Sequence, residues 1–188
     1  ATRDRTAPGR MSAIWVDTDY GFDDLWALLV LRRFGADIAA LSLVAGNAAL
    51  PRVMANALGG RAAYGLDAPL VAGADCRLQR PLGTAGRVLG PLGMASRGLH
   101  LPAPEDLPEL PAAVPALADW LEAPQPGDAT PRVVLALGPL TNIARLIQQA
   151  PDRAARITRP IWMGGSAGPG NHSPLAEFNG LGGPAAAR

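Results

Sequence analysis

The sequence predicts an α/β fold built on an open, mostly parallel sheet with helices on both faces. Two observations support this fold class. Short apolar runs that fit buried strands alternate along the chain with longer apolar runs that fit helices. Polar or glycine-rich turns follow four of the expected strands, at the edge where parallel sheets bind ligands. The 188 residues are enough for one domain with a substantial core.

The first half of the chain alternates strand and helix. Strands are predicted at 13–16, 38–45 and 69–72, and helices at 24–34 and 53–64. Gly35 ends the first of these helices, and Pro51 stands near the start of the second. This order implies right-handed crossovers between parallel strands.

The second half begins with Gly- and Pro-rich sequence, and regular elements return near its end. A helix is predicted at 112–121, a strand at 132–137, a helix at 143–149 and a last strand at 157–163. Residues 1–11 are polar and are expected to form a disordered leader. Residues 12–188 are then expected to form the single domain.

Composition excludes several function classes. The formal net charge is +1 and 18% of residues are charged, so neither nucleic acid nor an anionic membrane is an expected partner. All 17 basic residues are Arg, which excludes a Schiff-base lysine and the lysine of a phosphate-binding loop. Cys76 is the only cysteine, and we expect a buried or semi-buried thiol. No apolar run approaches the ~18 residues of a membrane helix, so a cytoplasmic protein is expected.

Four carboxylates stand within eight residues between two apolar runs, at Asp17, Asp19, Asp23 and Asp24. Such crowding is unfavourable unless a cation binds among them, because a helix dipole contributes only ~0.3–1 kcal/mol per acid. Oxygen ligands suit Ca²⁺ or Mg²⁺. The alternative is that these acids are ordinary residues of a helix start and a solvated loop, and their spacing favours the metal site.

A cation held by Asp19 and Asp24 would activate a water for hydrolysis, while a neighbouring carboxylate takes the proton. Side chains able to bind vicinal hydroxyls occur at Asn47, Asn171, Glu177 and Asn179. The sequence has no convincing phosphate cradle, so a neutral polyhydroxylated substrate is expected.

Four segments resemble the inosine–uridine-preferring nucleoside hydrolase family, and they occur in the family's order. They are Asp17-Thr18-Asp19-Tyr20-Gly21-Phe22-Asp23-Asp24, Val44-Ala45-Gly46-Asn47, Ala136-Leu137-Gly138-Pro139-Leu140-Thr141-Asn142-Ile143-Ala144, and the run from Met163-Gly164-Gly165 through Gly170-Asn171 to Ala176-Glu177-Phe178-Asn179. The resemblance implies hydrolysis of the N-glycosidic bond of ribonucleosides to free base and ribose. It also implies a tightly bound Ca²⁺ and a homo-oligomer, either a dimer or a tetramer.

The resemblance also implies roles for individual residues. Asp19 would bind Ca²⁺ and act as general base, with Asp24 and the backbone carbonyl of Thr141 as further ligands. Asp17 would not bind the metal itself but would support the residues that do. The ribose hydroxyls would be bound by Asp23, Asn171, Glu177 and Asn179, with Asn47 and the Met163 backbone nearby.

Two of the chain's departures from the family lie in or after the segments that carry the resemblance. Tyr20 stands where the family usually has Pro, and we expect a local change in the turn. After Asn179 the family continues with a segment that this chain does not match, and then with a His that protonates the leaving base and an Asp that completes the calcium shell. On this basis the fold is expected to be truncated at its C-terminal side. An alternative to the active hydrolase is therefore an impaired or inactive truncated homologue that retains only Ca²⁺ and ribose binding.

A third hypothesis is a phosphatase of the haloacid-dehalogenase type, which also begins with Asp-x-Asp after a strand. That chemistry needs a Lys, and the sequence contains none. The nucleoside hydrolase is therefore the favoured hypothesis.

Overall fold

The computed structural model of the protein describes residues 13–78, 83–94, 100–124, 131–174 and 176–187. Its strands are β1 Ile14–Thr18, β2 Ile38–Leu43, β3 Leu70–Ala72, β4 Val133–Ala136 and β5 Arg159–Trp162. They form a five-stranded sheet in the order β3-β2-β1-β4-β5, and each neighbouring pair is parallel. The predicted fold class is confirmed. The expected leader at 1–11 lies outside the described residues.

The helices are α1 Phe22–Arg33, α2 Leu50–Tyr64, α3 Gly86–Leu89, α4 Ala113–Glu122, α5 Thr141–Gln149, α6 Pro151–Ala154 and α7 Phe178–Gly182. The sequence predicted α1, α2, α4 and α5, with ends shifted by a turn or less. It did not predict α3, α6 and α7, because a helix of about one turn is too short to show a periodic pattern. Over the described residues, no helix combines the length and the apolar character needed to cross a membrane.

Helices cover both faces of the sheet. Val16, Leu41 and Leu43 pack on the face covered by α1 and α2. Trp15 and Val134 point the other way, into a core shared with α4 and α5. Because successive side chains of a strand alternate between faces, Asp17 follows Trp15 onto the α4 and α5 side.

β1 lies at the centre of the sheet, between β2 and β4. The chain builds β2 and β3 on one side of β1 and then crosses to add β4 and β5 on the other. Such a reversal opens a crevice at the carboxyl ends of the strands, and ligands of open parallel sheets bind there. The turns after β1, β2 and β4 all end at this edge.

The thiol of Cys76 is exposed, so the expectation of a buried or semi-buried thiol is wrong. Cys76 follows β3 in a turn, where the Sγ atom accepts a hydrogen bond from Arg145 Nη2 at 3.4 Å. Turns run over the protein surface, so a thiol in this turn is exposed. The number of cysteines in the sequence does not reveal that Cys76 lies in a turn.

Candidate active site

The acidic turn after β1 buries two carboxyl groups and exposes a third. Asp19 is 2% exposed and Asp24 is 3% exposed, although both are acids. Asp23 belongs to the same first turn of α1 and is exposed. The turn therefore presents one buried acid from the strand end and one from the helix start.

Asn47, in the loop after β2, holds Asp19 with two hydrogen bonds. The backbone N–H of Asn47 donates to Asp19 Oδ2 at 2.6 Å, and its Nδ2 donates to Asp19 Oδ1 at 3.0 Å. The preceding Gly46 permits this close approach, because a Cβ there would lie 2.1 Å from Asp19 Oδ2. The carboxylate of Asp19 is therefore fixed in orientation by the neighbouring loop.

Asp24 is held by donors from its own turn. Thr18 Oγ1 donates to Asp24 Oδ2 at 2.8 Å, and the backbone N–H of Gly21 donates to the same oxygen at 3.1 Å. Thr18 Oγ1 in turn accepts a hydrogen bond from the backbone N–H of Tyr20 at 2.9 Å. No role in the site was predicted for Thr18 from the sequence. Its position between Asp17 and Asp19 is the one sequence feature that could have indicated such a role.

Burial and negative neighbours oppose ionisation of this pair. Burial, the charge of Asp24 and a side-chain hydrogen bond with Asp24 raise the pKa of Asp19 well above its ordinary value. Burial is also the main cause that raises the pKa of Asp24, and the charge of Asp23 adds to it. The charges acting on both groups are negative, so a cation bound between them would favour the ionised forms.

Asp17 is fully buried and belongs to a polar network on the face of the sheet that α4 and α5 cover. Its Oδ1 accepts hydrogen bonds from Ser42 Oγ and from Asn142 Nδ2, the latter at 2.7 Å. Trp15 Nε1 donates to Ser42 Oγ at 2.8 Å, and Asn142 Oδ1 accepts from the N–H of Ala74 at 2.8 Å. Asp17 Oδ2 has no hydrogen-bond partner among the described residues. The network ties β1 to β2, to the start of α5 and to the turn after β3.

Asp17 gives the metal-free protein a pH-dependent stability. Burial raises its pKa from 3.8 to about 6, although the bonds from Asn142 and Ser42 oppose the shift. The folded state therefore binds the extra proton, and this contribution to stability is complete below about pH 4 and lost as the pH rises through 6. We expect Asp17→Asn to remove about 3 kcal/mol of that decline, as measured by urea unfolding in EGTA between pH 4 and 7.

Asp19 and Asp24 also lower the free energy of unfolding as the pH rises, and they do so in the wild type and in Asp17→Asn alike. The difference between these two proteins therefore reports Asp17. The exposed Asp67→Asn is the matched control and should keep the wild-type dependence on pH. An Asp17→Asn protein whose unfolding free energy declines as steeply as that of the wild type would contradict this assignment.

The loop between β4 and α5 reaches the acidic turn. A Cβ on Gly138 would lie 3.0 Å from the backbone nitrogen of Asp19, so the two segments are in direct contact. Thr141 is buried at the first position of α5. The loop that leads into α5 therefore lies against the turn that carries the acids.

Glu177 forms the N-terminal cap of α7. Its Oε1 accepts from the backbone N–H of Asn179 at 2.9 Å, and its Oε2 accepts from Gly180 and from Gly165, both at 2.8 Å. The bond to Gly165 ties α7 to the glycine-rich loop after β5. Both carboxylate oxygens of Glu177 therefore have backbone partners.

Asn179 joins α7 to the ends of two strands. Its Nδ2 donates to the carbonyl of Leu137 at 2.8 Å and to that of Met163 at 3.0 Å. Asn171 is exposed, and its Oδ1 accepts from the backbone N–H of Phe178 at 2.9 Å. These side chains lie at the carboxyl edge of the sheet, beyond β4 and β5.

The acidic pair offers oxygen donors that fit a hard cation. Among the described residues, no group of three or more His, Cys, Asp or Glu side chains is arranged to hold a metal ion. Asp19 and Asp24 supply two buried carboxylates. Because Ca²⁺ takes 6–8 oxygens, water and substrate hydroxyls would complete its shell.

The profile of the inosine-uridine preferring nucleoside hydrolase family matches residues 14–188. The chain belongs to this family. Among curated family members, it is 39% identical over 167 residues to the non-specific ribonucleoside hydrolase RihC of Klebsiella pneumoniae subsp. pneumoniae, covering 88% of this chain and 53% of that protein. The Salmonella agona RihC is 39% identical over 168 residues, with the same coverage of each chain. The chain thus spans about half the length of the curated nucleoside hydrolases that it matches.

Solved nucleoside hydrolases share the fold. An inosine-guanosine nucleoside hydrolase superposes with a TM-score of 0.80 at 26% identity, covering 94% of this chain and 54% of the other. The plant nucleoside hydrolase PpNRh1 gives 0.76 at 28% identity, covering 94% and 55%. The family expected from the sequence motifs is therefore confirmed.

Proposed function

We propose that the protein hydrolyses the N-glycosidic bond of ribonucleosides to free base and ribose, with Ca²⁺ as its cofactor. Membership of the nucleoside hydrolase family supports the reaction. The observation that carries the proposal is the buried pair Asp19 and Asp24, with Asp19 held by Asn47 at the carboxyl edge of the sheet. A general base must hold its carboxylate in a fixed orientation towards the water that it deprotonates, and the hydrogen bonds from Asn47 fix Asp19 in this way.

Ca²⁺ would be held by Asp19, Asp24 and the carbonyl of Thr141, and when bound it lowers the pKa of a water molecule. Asp19 accepts a proton from the attacking water, because Asn47 keeps its carboxylate in place. Asp17 supports the turn through its hydrogen bonds with Ser42 and Asn142. The carboxylates also stabilise the positive charge that develops on the ribose ring as the bond to the base breaks.

The ribose hydroxyls are bound by residues on both sides of the crevice. These are Asp23, Asn47, Asn171, Glu177 and Asn179, with the backbone of Met163. Glu177 accepts three backbone hydrogen bonds, and a carboxylate offers about four acceptor sites, which leaves one for a hydroxyl. Asp23 is exposed, so its carboxylate is accessible to a hydroxyl.

A second candidate is a catalytically impaired protein that binds Ca²⁺ and ribose without efficient turnover. The engagement of Glu177 and Asn171 by backbone N–H groups of α7 and its neighbours favours it, because these acceptors are then less available to the sugar. The two candidates share the metal site and differ in turnover.

The deciding experiment measures reducing sugar released from inosine and uridine in Ca²⁺ and in EGTA, beside a calorimetric titration with Ca²⁺. The first candidate requires calcium binding and calcium-dependent release of ribose. Calcium binding without release supports the second candidate. A protein that neither binds calcium nor releases ribose contradicts both.

A homo-oligomer, dimer or tetramer, belongs to the same proposal. Trp26 and Val30 of α1 and Phe34, the residue that caps it, are exposed by 57%, 50% and 76% respectively, and they give a second copy an apolar surface to contact. Sedimentation velocity of the purified chain tests this part, and a single monomeric species at micromolar concentration would contradict it.

The proposal requires Gly46 to remain without a side chain. The Cβ of Gly46→Ala would lie 2.1 Å from Asp19 Oδ2, so either Asp19 or the loop must move and the bonds from Asn47 are lost. We expect ribose release to fall about 10²-fold, the effect of displacing a reacting group by about 1 Å. Kinetics with inosine at saturating calcium measure the change.

Gly86→Ala is the matched control, because a Cβ there meets Thr84 Oγ1 at 3.5 Å, an ordinary contact. It should release ribose at the wild-type rate. Wild-type activity in Gly46→Ala would show that Asp19 does not need its present position.

A further inference from the structure

Thr18 makes two hydrogen bonds that together set the direction of its hydroxyl. It is the last residue of β1 and is fully buried. Its Oγ1 accepts from the backbone N–H of Tyr20 and donates to Asp24 Oδ2, at 2.9 and 2.8 Å. A hydroxyl has a single proton, so the bond accepted from Tyr20 leaves that proton for Asp24.

The backbone of Tyr20 makes this arrangement available. Tyr20 has a left-handed conformation, with φ 48°, and is the only non-glycine residue with positive φ in the described part of the chain. A proline at this position has neither the N–H nor the conformation, since its φ is fixed near −65°. The hydrogen bond from the backbone N–H of residue 20 to Thr18 therefore depends on this chain having Tyr20 where the family usually has Pro.

The side chain of Tyr20 anchors the turn. The ring is fully buried in the core beside α1 and α2, and a Cβ on Gly60 would lie 2.0 Å from the Tyr20 hydroxyl. That hydroxyl has no hydrogen-bond partner within the described residues. Packing of the ring, and not its polar end, therefore holds the left-handed turn.

We infer that Thr18 is a positioning residue, which orients the Asp24 carboxylate for cation binding through a hydroxyl directed by Tyr20. This inference rests on the proposed function, in which Asp24 is a calcium ligand. Partners that orient metal ligands typically contribute 10–100-fold to metal affinity. Thr18 touches neither substrate nor metal in this scheme, so its loss should act through calcium affinity.

The test compares the wild type with Thr18→Val, which keeps the shape and removes the hydroxyl, and Thr18→Ser, which restores it. We expect Thr18→Val to bind Ca²⁺ 10–100-fold more weakly by calorimetry, and Thr18→Ser to recover most of that loss. Raising the calcium concentration should restore ribose release by Thr18→Val, with KM for inosine unchanged at saturating calcium.

Thr158→Val is the matched control, because Thr158 Oγ1 also accepts a backbone N–H, that of Arg132 at 2.8 Å, far along the chain from the acidic turn. It should bind calcium like the wild type. A metal-free readout is the hydrogen exchange of the Tyr20 amide in EGTA, which should speed up in Thr18→Val and stay slow in Thr18→Ser.

The outcomes separate this inference from the function beneath it. If the wild type binds calcium and Thr18→Val binds it equally well, the positioning role is wrong and the proposed function stands. Equal weakening in Thr18→Val and Thr18→Ser, or a protected Tyr20 amide in Thr18→Val, also overturns the inference. A wild type that binds no calcium overturns both the calcium proposal and the inference.

Discussion

Asp19→Asn is expected to lower the rate of ribose release from inosine by roughly 10²–10⁴-fold, the usual contribution of a general base, which is the role proposed for Asp19. The substitution keeps the shape of the side chain, and the amide oxygen still accepts a hydrogen bond from Asn47. It removes the charge and the proton acceptor. Steady-state kinetics at saturating calcium measure the loss, and calorimetry should show weaker calcium binding in the same protein.

The fold should tolerate this change. Asp19 is 2% exposed and its pKa is raised by burial, so removing its charge should leave the Tm in EGTA equal to or above that of the wild type. The exposed Asp67→Asn serves as control for the substitution and should retain full activity. Turnover within tenfold of the wild type would show that another group takes the proton.

The fold was predictable because its signals are local. Each buried strand is a short apolar run, and the helices α1 and α2 follow directly with glycine and proline at their ends. The strand order β3-β2-β1-β4-β5 was not predicted, since it depends on which side of β1 the chain returns to after the long Gly- and Pro-rich segment. Local pattern carries no information about that choice.

The acidic turn and Asn47 were also predictable as neighbours. They follow β1 and β2, and the ends of adjacent parallel strands meet at one edge of a sheet. The different burial of Asp23 and Asp24 was not predictable. It depends on how the first turn of α1 is oriented towards the sheet, which no run of residue types specifies.

The hydrogen bonds around Asp17 and Thr18 lay beyond sequence reasoning for a different reason. Asn142 is 125 positions from Asp17, and the contact exists only because β1 and β4 pair in one register. Ser42 carried a weak signal, as a polar residue within the apolar run of β2. The backbone N–H of Tyr20 could not be assigned a partner before its φ was known.

The second large effect is expected from Asn142→Ala, which should lower the free energy of unfolding by about 3 kcal/mol and the Tm by roughly 6–12 °C. Asn142 donates to Asp17 Oδ1 at 2.7 Å and accepts from the N–H of Ala74 at 2.8 Å. Its removal leaves a buried acid with one donor fewer and a backbone N–H without its side-chain acceptor, each worth about 1–3 kcal/mol.

Gln148→Ala is the matched control, because it truncates an exposed amide in the same helix, α5, and should change stability by less than about 0.5 kcal/mol. Urea unfolding of both variants in EGTA gives the comparison. The loss in Asn142→Ala should also shrink below pH 4, because Asp17 is then neutral in the folded and unfolded states and its missing donor costs less. If the loss of unfolding free energy in Asn142→Ala stays constant from pH 4 to pH 7, the cavity dominates it and not the charge of Asp17. If Asn142→Ala loses no stability, the network does not hold the sheet to α5.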